Sequence, residues 1–128
     1  MHLLLDTHVL LWAAGVPEKF SSQTADLIQD KRNTLLFSAA SIWEIVVKRA
    51  LGRNDFQVEP EILRRGLEEN EYQELAITST HVMGVGHLPL IHKDPFDRIL
   101  IAQAITEGFL LLTADQTIAK YPGPIRLV

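Results

Sequence analysis

The sequence predicts an α/β fold: three layers, α/β/α, around a mainly parallel central sheet of roughly five strands. Two observations lead there. Five short apolar runs, at residues 2–5, 34–38, 72–77, 109–113 and 125–128, are each strand-length. Between them lie segments with helical spacing and helix-cap residues, so strands and helices alternate. Strands that are apolar throughout, rather than alternating, are covered by helices on both faces, as in parallel sheets.

Taken in order, "HLLL" (2–5) is a short buried strand, and "THVLLWAAG" is a helix with Gly15 past its end. A Pro17 turn leads to a helix started by Ser21 and Ser22, with Ala25, Leu27 and Ile28 on one side. "TLLFS" (34–38) is the second strand. "AASIWEIVVKRALG" (39–52) is a long helix stopped by Gly52. "RNDFQVEP" is a loop, after which Pro60 opens an acidic helix. "YQELAI" (72–77) is the third strand, followed by a helix near "STHVMGV" and a loop, "GHLPLIHKDP". "FDRILIAQAITEG" (96–108) is apolar nearly all round, which marks a buried helix. "FLLLT", a turn or two of helix at "DQTIAKY", and "IRLV" complete the series.

A chain of 128 residues predicts one domain, residues 1–128, with enough buried surface for a real core. No apolar stretch approaches the roughly 20 residues that span a bilayer. No basic, cleavable leader precedes the first strand, and there is no cysteine. A cytoplasmic protein without disulfides or thiolate chemistry is expected. The net charge of −4 argues against binding a polyanion through bare electrostatics. Setting four metal-held carboxylates aside would bring that balance to zero, so a nucleic-acid substrate would require a metal.

Most of the 16 acidic residues need no special explanation, and six of them, Glu59, Glu61, Glu68, Glu69, Glu71 and Glu74, read as a solvated face around the Pro60 helix. Five are placed differently. Asp6 and Asp115 directly follow strands, at the carboxyl edge where α/β sheets carry their sites, although each could simply cap the next helix. Glu44 lies in a run so apolar that little solvated face remains for it. Its alternative is a surface i,i+4 pair with Lys48 worth about 0.3–0.5 kcal/mol. Asp94, Pro95 and Asp97 fit a cap, a first helical residue and a capping box. If Asp6, Glu44, Asp97 and Asp115 converge, two carboxylates about 4 Å apart repel by ~4 kcal/mol at an effective dielectric near 20. Such a group must protonate or hold a cation. Oxygen ligands without Cys, and His residues without paired spacing, favour Mg²⁺ or Mn²⁺ over zinc. His8 and His92 are expected near the site in supporting or structural roles.

"LLLDTHVLLW", "SAASIWEIVVKRALG", "HKDPFDRILIAQA" and "LLTAD" resemble the PIN-domain family, and especially its bacterial VapC-type toxins. The resemblance spans essentially the whole chain in the right order. It implies a PIN-like fold and a Mg²⁺- or Mn²⁺-dependent ribonuclease. Asp6, Glu44, Asp97 and Asp115 would form the metal pocket, with Thr113, Thr7 and Asp94 as candidate supports. An activated water would attack phosphorus in line, leaving a 5′-phosphate and a 3′-hydroxyl. The resemblance also implies a homodimer and a small antitoxin partner, and no membrane. Lys48, Arg49, Lys93 and Arg98 flank the acids as candidate RNA contacts. The apolar "LLWAAG" and "SIWEIVV" suggest a dimer surface and an antitoxin groove, the alternative being that Trp12 and Trp43 both lie in the core.

Two other classes are weighed against this. A haloacid-dehalogenase-like phosphatase needs a second Asp two positions after its nucleophile, where this chain has His8. A receiver domain pairs acids at the end of strand one, where this chain has Leu5. A binding module that kept only the fold would not need intact acids.

Overall fold

A computed structural model describes residues 1–128. Five strands form one sheet: β1 (His2–Leu5), β2 (Thr34–Ser38), β3 (Gln73–Leu75), β4 (Leu110–Thr113) and β5 (Ile125–Leu127). Their order is β3-β2-β1-β4-β5, and every pairing is parallel. The chain builds outward from β1 in one direction, then returns to build β4 and β5 on its other side. The reversal places a switch point between β1 and β4, at whose carboxyl ends an open parallel sheet forms its crevice.

Six helices cover the sheet: α1 (Thr7–Gly15), α2 (Ser22–Gln29), α3 (Ala39–Ala50), α4 (Pro60–Glu69), α5 (Ser79–Val85) and α6 (Pro95–Glu107). The central strand shows why both faces are apolar. Leu3 and Leu5 pack with Val9, Leu10, Ile45, Phe56, Leu63 and Leu67 on one side, while Leu4 packs with Leu88, Leu100, Ile101 and Ala104 on the other. Side chains that alternate in direction require two cores when every one of them is leucine. No helix is long and apolar enough to cross a membrane.

The boundaries differ from the sequence reading in small ways with local causes. Gly15 is the last helical residue rather than a stop, and the helix is closed by the Val16 N–H donating to the Trp12 carbonyl. Gly52, at φ +77°, terminates α3 as expected, because that left-handed conformation suits glycine. Strand β3 keeps only three of the six residues assigned to it. The loop after α3 contains a 3₁₀ turn, Asn54–Phe56, which delivers Phe56 fully into the core. Trp43 is exposed, with its ring edge-on to Phe96, so the two tryptophans do not both lie in the core.

Candidate active site and metal centre

Two of the acids, Asp6 and Asp115, follow strands, Glu44 comes from within α3, and Asp94 and Asp97 come from the start of α6. Asp6 follows β1 and caps α1, its Oδ1 accepting the Val9 N–H at 2.9 Å. Its Oδ2 accepts the Thr113 hydroxyl at 2.5 Å, from the last residue of β4. The same Thr113 Oγ1 accepts the Asp115 N–H at 3.0 Å, so one hydroxyl ties the ends of two adjacent strands. Asp115 turns the chain by accepting the Thr117 N–H at 2.7 Å. Glu44 projects from the middle of α3 and is 2% exposed. Its Oε1 accepts the Thr7 hydroxyl at 2.5 Å, a charge-assisted bond. Thr7 has one hydroxyl proton to give, so Ser41 Oγ, 3.0 Å away, donates to it.

Asp94 caps α6 through the Phe96 N–H at 2.8 Å, with Pro95 in the first helical position. The expected capping box is not formed. Asp94 gives its own N–H to His92 Nδ1 at 3.2 Å rather than to Asp97. Asp97 is thereby released to face the cavity. An acceptor Nδ1 puts the ring proton on Nε2. That nitrogen points at Asp97 Oδ2, 3.0 Å away, and Asp115 Oδ2, 3.4 Å away. His92 Nε2 thus stands between two carboxylates, within ion-pair distance of both when the ring is charged. His8 lies at the same cavity, as expected, with its Nε2 3.5 Å from Asp55 Oδ2.

Asp6, Thr7, Glu44, Asp94, Asp97 and Asp115 line one cavity of about 180 Å³, with His8, His92, Lys48 and Ile118. The four acids singled out in the sequence therefore share one space. Burial and the charges of Asp94, Glu44, Asp6 and Asp115 push the Asp97 carboxyl up to about 8. Burial raises Asp6 as well, against the lowering effect of the Thr113 and Val9 hydrogen bonds. Asp115 moves the other way. Burial would raise it, but the Thr117 and Ile118 N–H groups and the His92 ring outweigh that and hold it below its ordinary value.

The cations are placed less uniformly. Lys48 Nζ lies 2.5 Å from Glu44 Oε2 and 3.5 Å from Asp94 Oδ2. Burial disfavours its charge, but those two acids outweigh burial and raise its pKa. The i,i+4 pair considered as the surface alternative does exist, but inside the cavity. Arg98 is turned inward: its guanidinium donates to the carbonyls of Val85, Pro89 and His92 and to the Tyr121 hydroxyl. It fastens the loop that carries His92. Arg49 is exposed on a separate groove with Val46 and Gln57. Lys93 is exposed between the cavity residues His92 and Asp94.

The donor set suits a hard cation. Glu44, Asp94 and Asp97 can bring oxygens within 4.8 Å of one another, as can Asp97 and Asp115 with His92. Oxygen-rich ligation without thiolate matches Mg²⁺ or Mn²⁺. Burial first, and the neighbouring carboxylates after it, keep Asp97 protonated up to about 8, a cost that a bound cation would offset.

Comparison with solved structures places this arrangement among known folds. The chain is similar to VapBC2 from Rickettsia felis bound to a DNA fragment from its promoter (15% identity, 99% of this chain and 98% of that one, TM-score 0.73). It is also similar to DNA-bound VapBC from Salmonella typhimurium (14%, 98% and 97%, 0.68). A third similar structure is VapBC-1 from nontypeable Haemophilus influenzae (17%, 99% and 98%, 0.63). Comparison with curated proteins finds no significant match. The PIN-domain profile matches residues 3–124, a span running from the first core residue of β1 to the edge of β5 and containing every acid of the cavity. The chain belongs to the PIN-domain family, whose members are generally nucleases.

Proposed function

We propose that the protein is a Mg²⁺- or Mn²⁺-dependent ribonuclease, the toxin of a type II toxin–antitoxin pair, with Asp6, Glu44, Asp97 and Asp115 as its metal-holding acids. The observation that carries this reading is the meeting of those four acids in one cavity at the sheet's switch point. A divalent ion, when bound, would stabilise charge developing on a phosphodiester and lower the pKa of an attacking water. The chain's own residues prepare the place. Thr113 and the Val9 N–H hold Asp6 in one orientation, Thr7 holds Glu44, and the His92 ring stands within 3.0 Å of Asp97 and 3.4 Å of Asp115. Of the four candidate RNA contacts, Lys93 is the one left free beside the cavity, since Lys48 and Arg98 are engaged inside.

The partner reading rests on surface chemistry and on likeness. The solved structures above contain VapBC assemblies. This chain carries an apolar groove of about 620 Å³, lined by Leu11, Ala14, Val58, Ile62, Leu67 and Tyr72, which suits an antitoxin segment. Exposed Trp43 and Val46 on α3 suit a homodimer contact. The test is cleavage of several RNAs by purified protein in Mg²⁺, Mn²⁺ and chelator, beside Asp6→Asn. Metal-dependent cleavage that is lost in Asp6→Asn, giving 5′-phosphate ends, is the expected result. Equal activity of Asp6→Asn, with contaminating nuclease excluded, overturns it.

A further inference from the structure

The cavity offers two groupings of donor atoms: Glu44, Asp94 and Asp97 on one side, and Asp97, Asp115 and His92 on the other. By count alone these look like places for two cations. They are not equivalent, because the first already holds a cation supplied by the chain. Lys48 Nζ is within 2.5 Å of Glu44 Oε2 and 3.5 Å of Asp94 Oδ2. A surface i,i+4 pair would yield to any competing ion, but this one differs in two respects. The Lys48 side chain is 17% exposed and that of Glu44 is 3% exposed. The ammonium is also walled by aromatic rings, 4.9 Å from the Phe56 centroid and 5.8 Å from that of Phe96. Two ring faces this close favour the cation where it stands. A divalent ion shared by Glu44 and Asp94 would have to sit against this fixed positive charge. The opposite grouping holds no Lys or Arg.

Building on the ribonuclease reading, we infer that Lys48 is a positioning residue that acts as the site's second cation. It fills the Glu44–Asp94 half and confines the divalent metal to one ion per chain, on the side of Asp97 and Asp115. The two halves share Asp97, so the metal ion and the ammonium stand on opposite sides of that carboxylate.

The test counts ions and needs no RNA. Metal-free full-length protein is titrated with Mn²⁺ by equilibrium dialysis, and free Mn²⁺ is read by electron paramagnetic resonance. Wild type is expected to bind one Mn²⁺ per chain in the high-affinity class. Lys48→Met vacates the ammonium's place beside Glu44 and Asp94 and is expected to bind two, whereas Lys48→Arg stays at one. Two ions on wild type overturn the inference, and this arm holds even if Lys48→Met does not fold. One ion on a folded Lys48→Met also overturns it. Either result leaves the ribonuclease reading standing. No ion on wild type removes the metal-dependent reading and this inference with it.

Discussion

Thr113 gives its hydroxyl proton to Asp6 Oδ2 at 2.5 Å while its oxygen accepts the Asp115 N–H at 3.0 Å. The two residues are 107 positions apart, and both are buried. Replacing Thr113 with Val keeps the shape and removes the donor. It leaves a buried carboxylate oxygen and a backbone N–H without their partner, at a cost of about 1–3 kcal/mol. Loss of a hydrogen bond that lowers the Asp6 pKa also moves that already raised pKa further up. Thr113→Val is therefore expected to melt lower and lose at least tenfold in cleavage, and Thr113→Ser to recover most of both. Melting and RNA cleavage measured on the same preparations check this; unchanged activity of the Val variant would refute it.

Glu44 and Lys48 depend on each other in an unequal way. Glu44→Gln still offers an oxygen to the Thr7 hydroxyl, but it deprives a mostly buried ammonium of its nearest charge. Removing one member of a buried pair costs about 3–5 kcal/mol when burial is complete, and about 2–3 kcal/mol is expected here because Asp94 remains at 3.5 Å. Glu44→Gln should therefore stay folded, unfold at lower urea, and not cleave RNA. Urea titration beside wild type measures the loss, and an unchanged midpoint would mean that the pair contributes nothing.

Metal-free protein should lose stability as pH rises from about 4 to 8. Asp97 is pushed up to about 8 in the folded chain, against an ordinary carboxyl value of 3.8. In that window the folded state keeps a proton that the unfolded state has released. The stability it contributes is full below about pH 4 and is lost as pH rises through about 8, at up to about 1.4 kcal/mol per pH unit. Asp6, raised too, adds in the same direction. Asp115, lowered, acts oppositely, but its contribution is complete once the unfolded residue is ionised. Mn²⁺ should restore more stability at pH 8 than at pH 5, because binding must displace the proton. Melting in chelator and in Mn²⁺ across this range tests the sign, and a rise with pH in chelator would contradict it.

The strands were legible because five apolar runs alternate with helical spacing, and Asp6 and Asp115 because they end two of those runs. Glu44 was legible through its apolar neighbours, which leave an acid nowhere to go but a cavity. The fold class follows from the same runs, whereas the family was legible only by resemblance, through the motifs around the acids and "DPFDRILIAQA" above all. What spacing did not carry was the path of the loop before α6. Arg98 folds that loop back by gathering carbonyls from Val85, Pro89 and His92, and only then does His92 reach Asp97 and Asp115. The same fold-back diverts the Asp94 N–H to His92, which is why a sequence that reads as a capping box does not form one. Lys48 was visible as an i,i+4 partner. Its enclosure by Phe56 and Phe96 was not, because Phe56 arrives from a short irregular segment whose route no periodicity marks.

Asp94 and Asp97 separate a cap from a cavity acid within one helical turn. Asp94 Oδ1 holds the Phe96 N–H, so Asp94→Ser keeps an acceptor and should cost little, while Asp94→Ala should cost about 1 kcal/mol. Cleavage should survive Asp94→Ser at least in part. Asp97 makes no such backbone bond, and burial together with four other carboxylates keeps it protonated. Asp97→Asn keeps size and polarity, still offers an oxygen to His92 Nε2, and removes a charge the cluster must otherwise suppress. Metal-free Asp97→Asn should therefore gain on wild type steadily as pH rises from about 4 to 8, the range over which the wild-type fold must keep a proton that the unfolded chain has released. The same variant should not cleave RNA and should bind Mn²⁺ at least tenfold more weakly. Stability and activity then move in opposite directions, as they do when a carboxylate is kept for a cation rather than for the helix it opens. Melting in chelator and cleavage in Mg²⁺, measured for all three variants, decide the matter. An Asp97→Asn protein that melts clearly lower and still cleaves would make Asp97 a structural residue and remove it from the site.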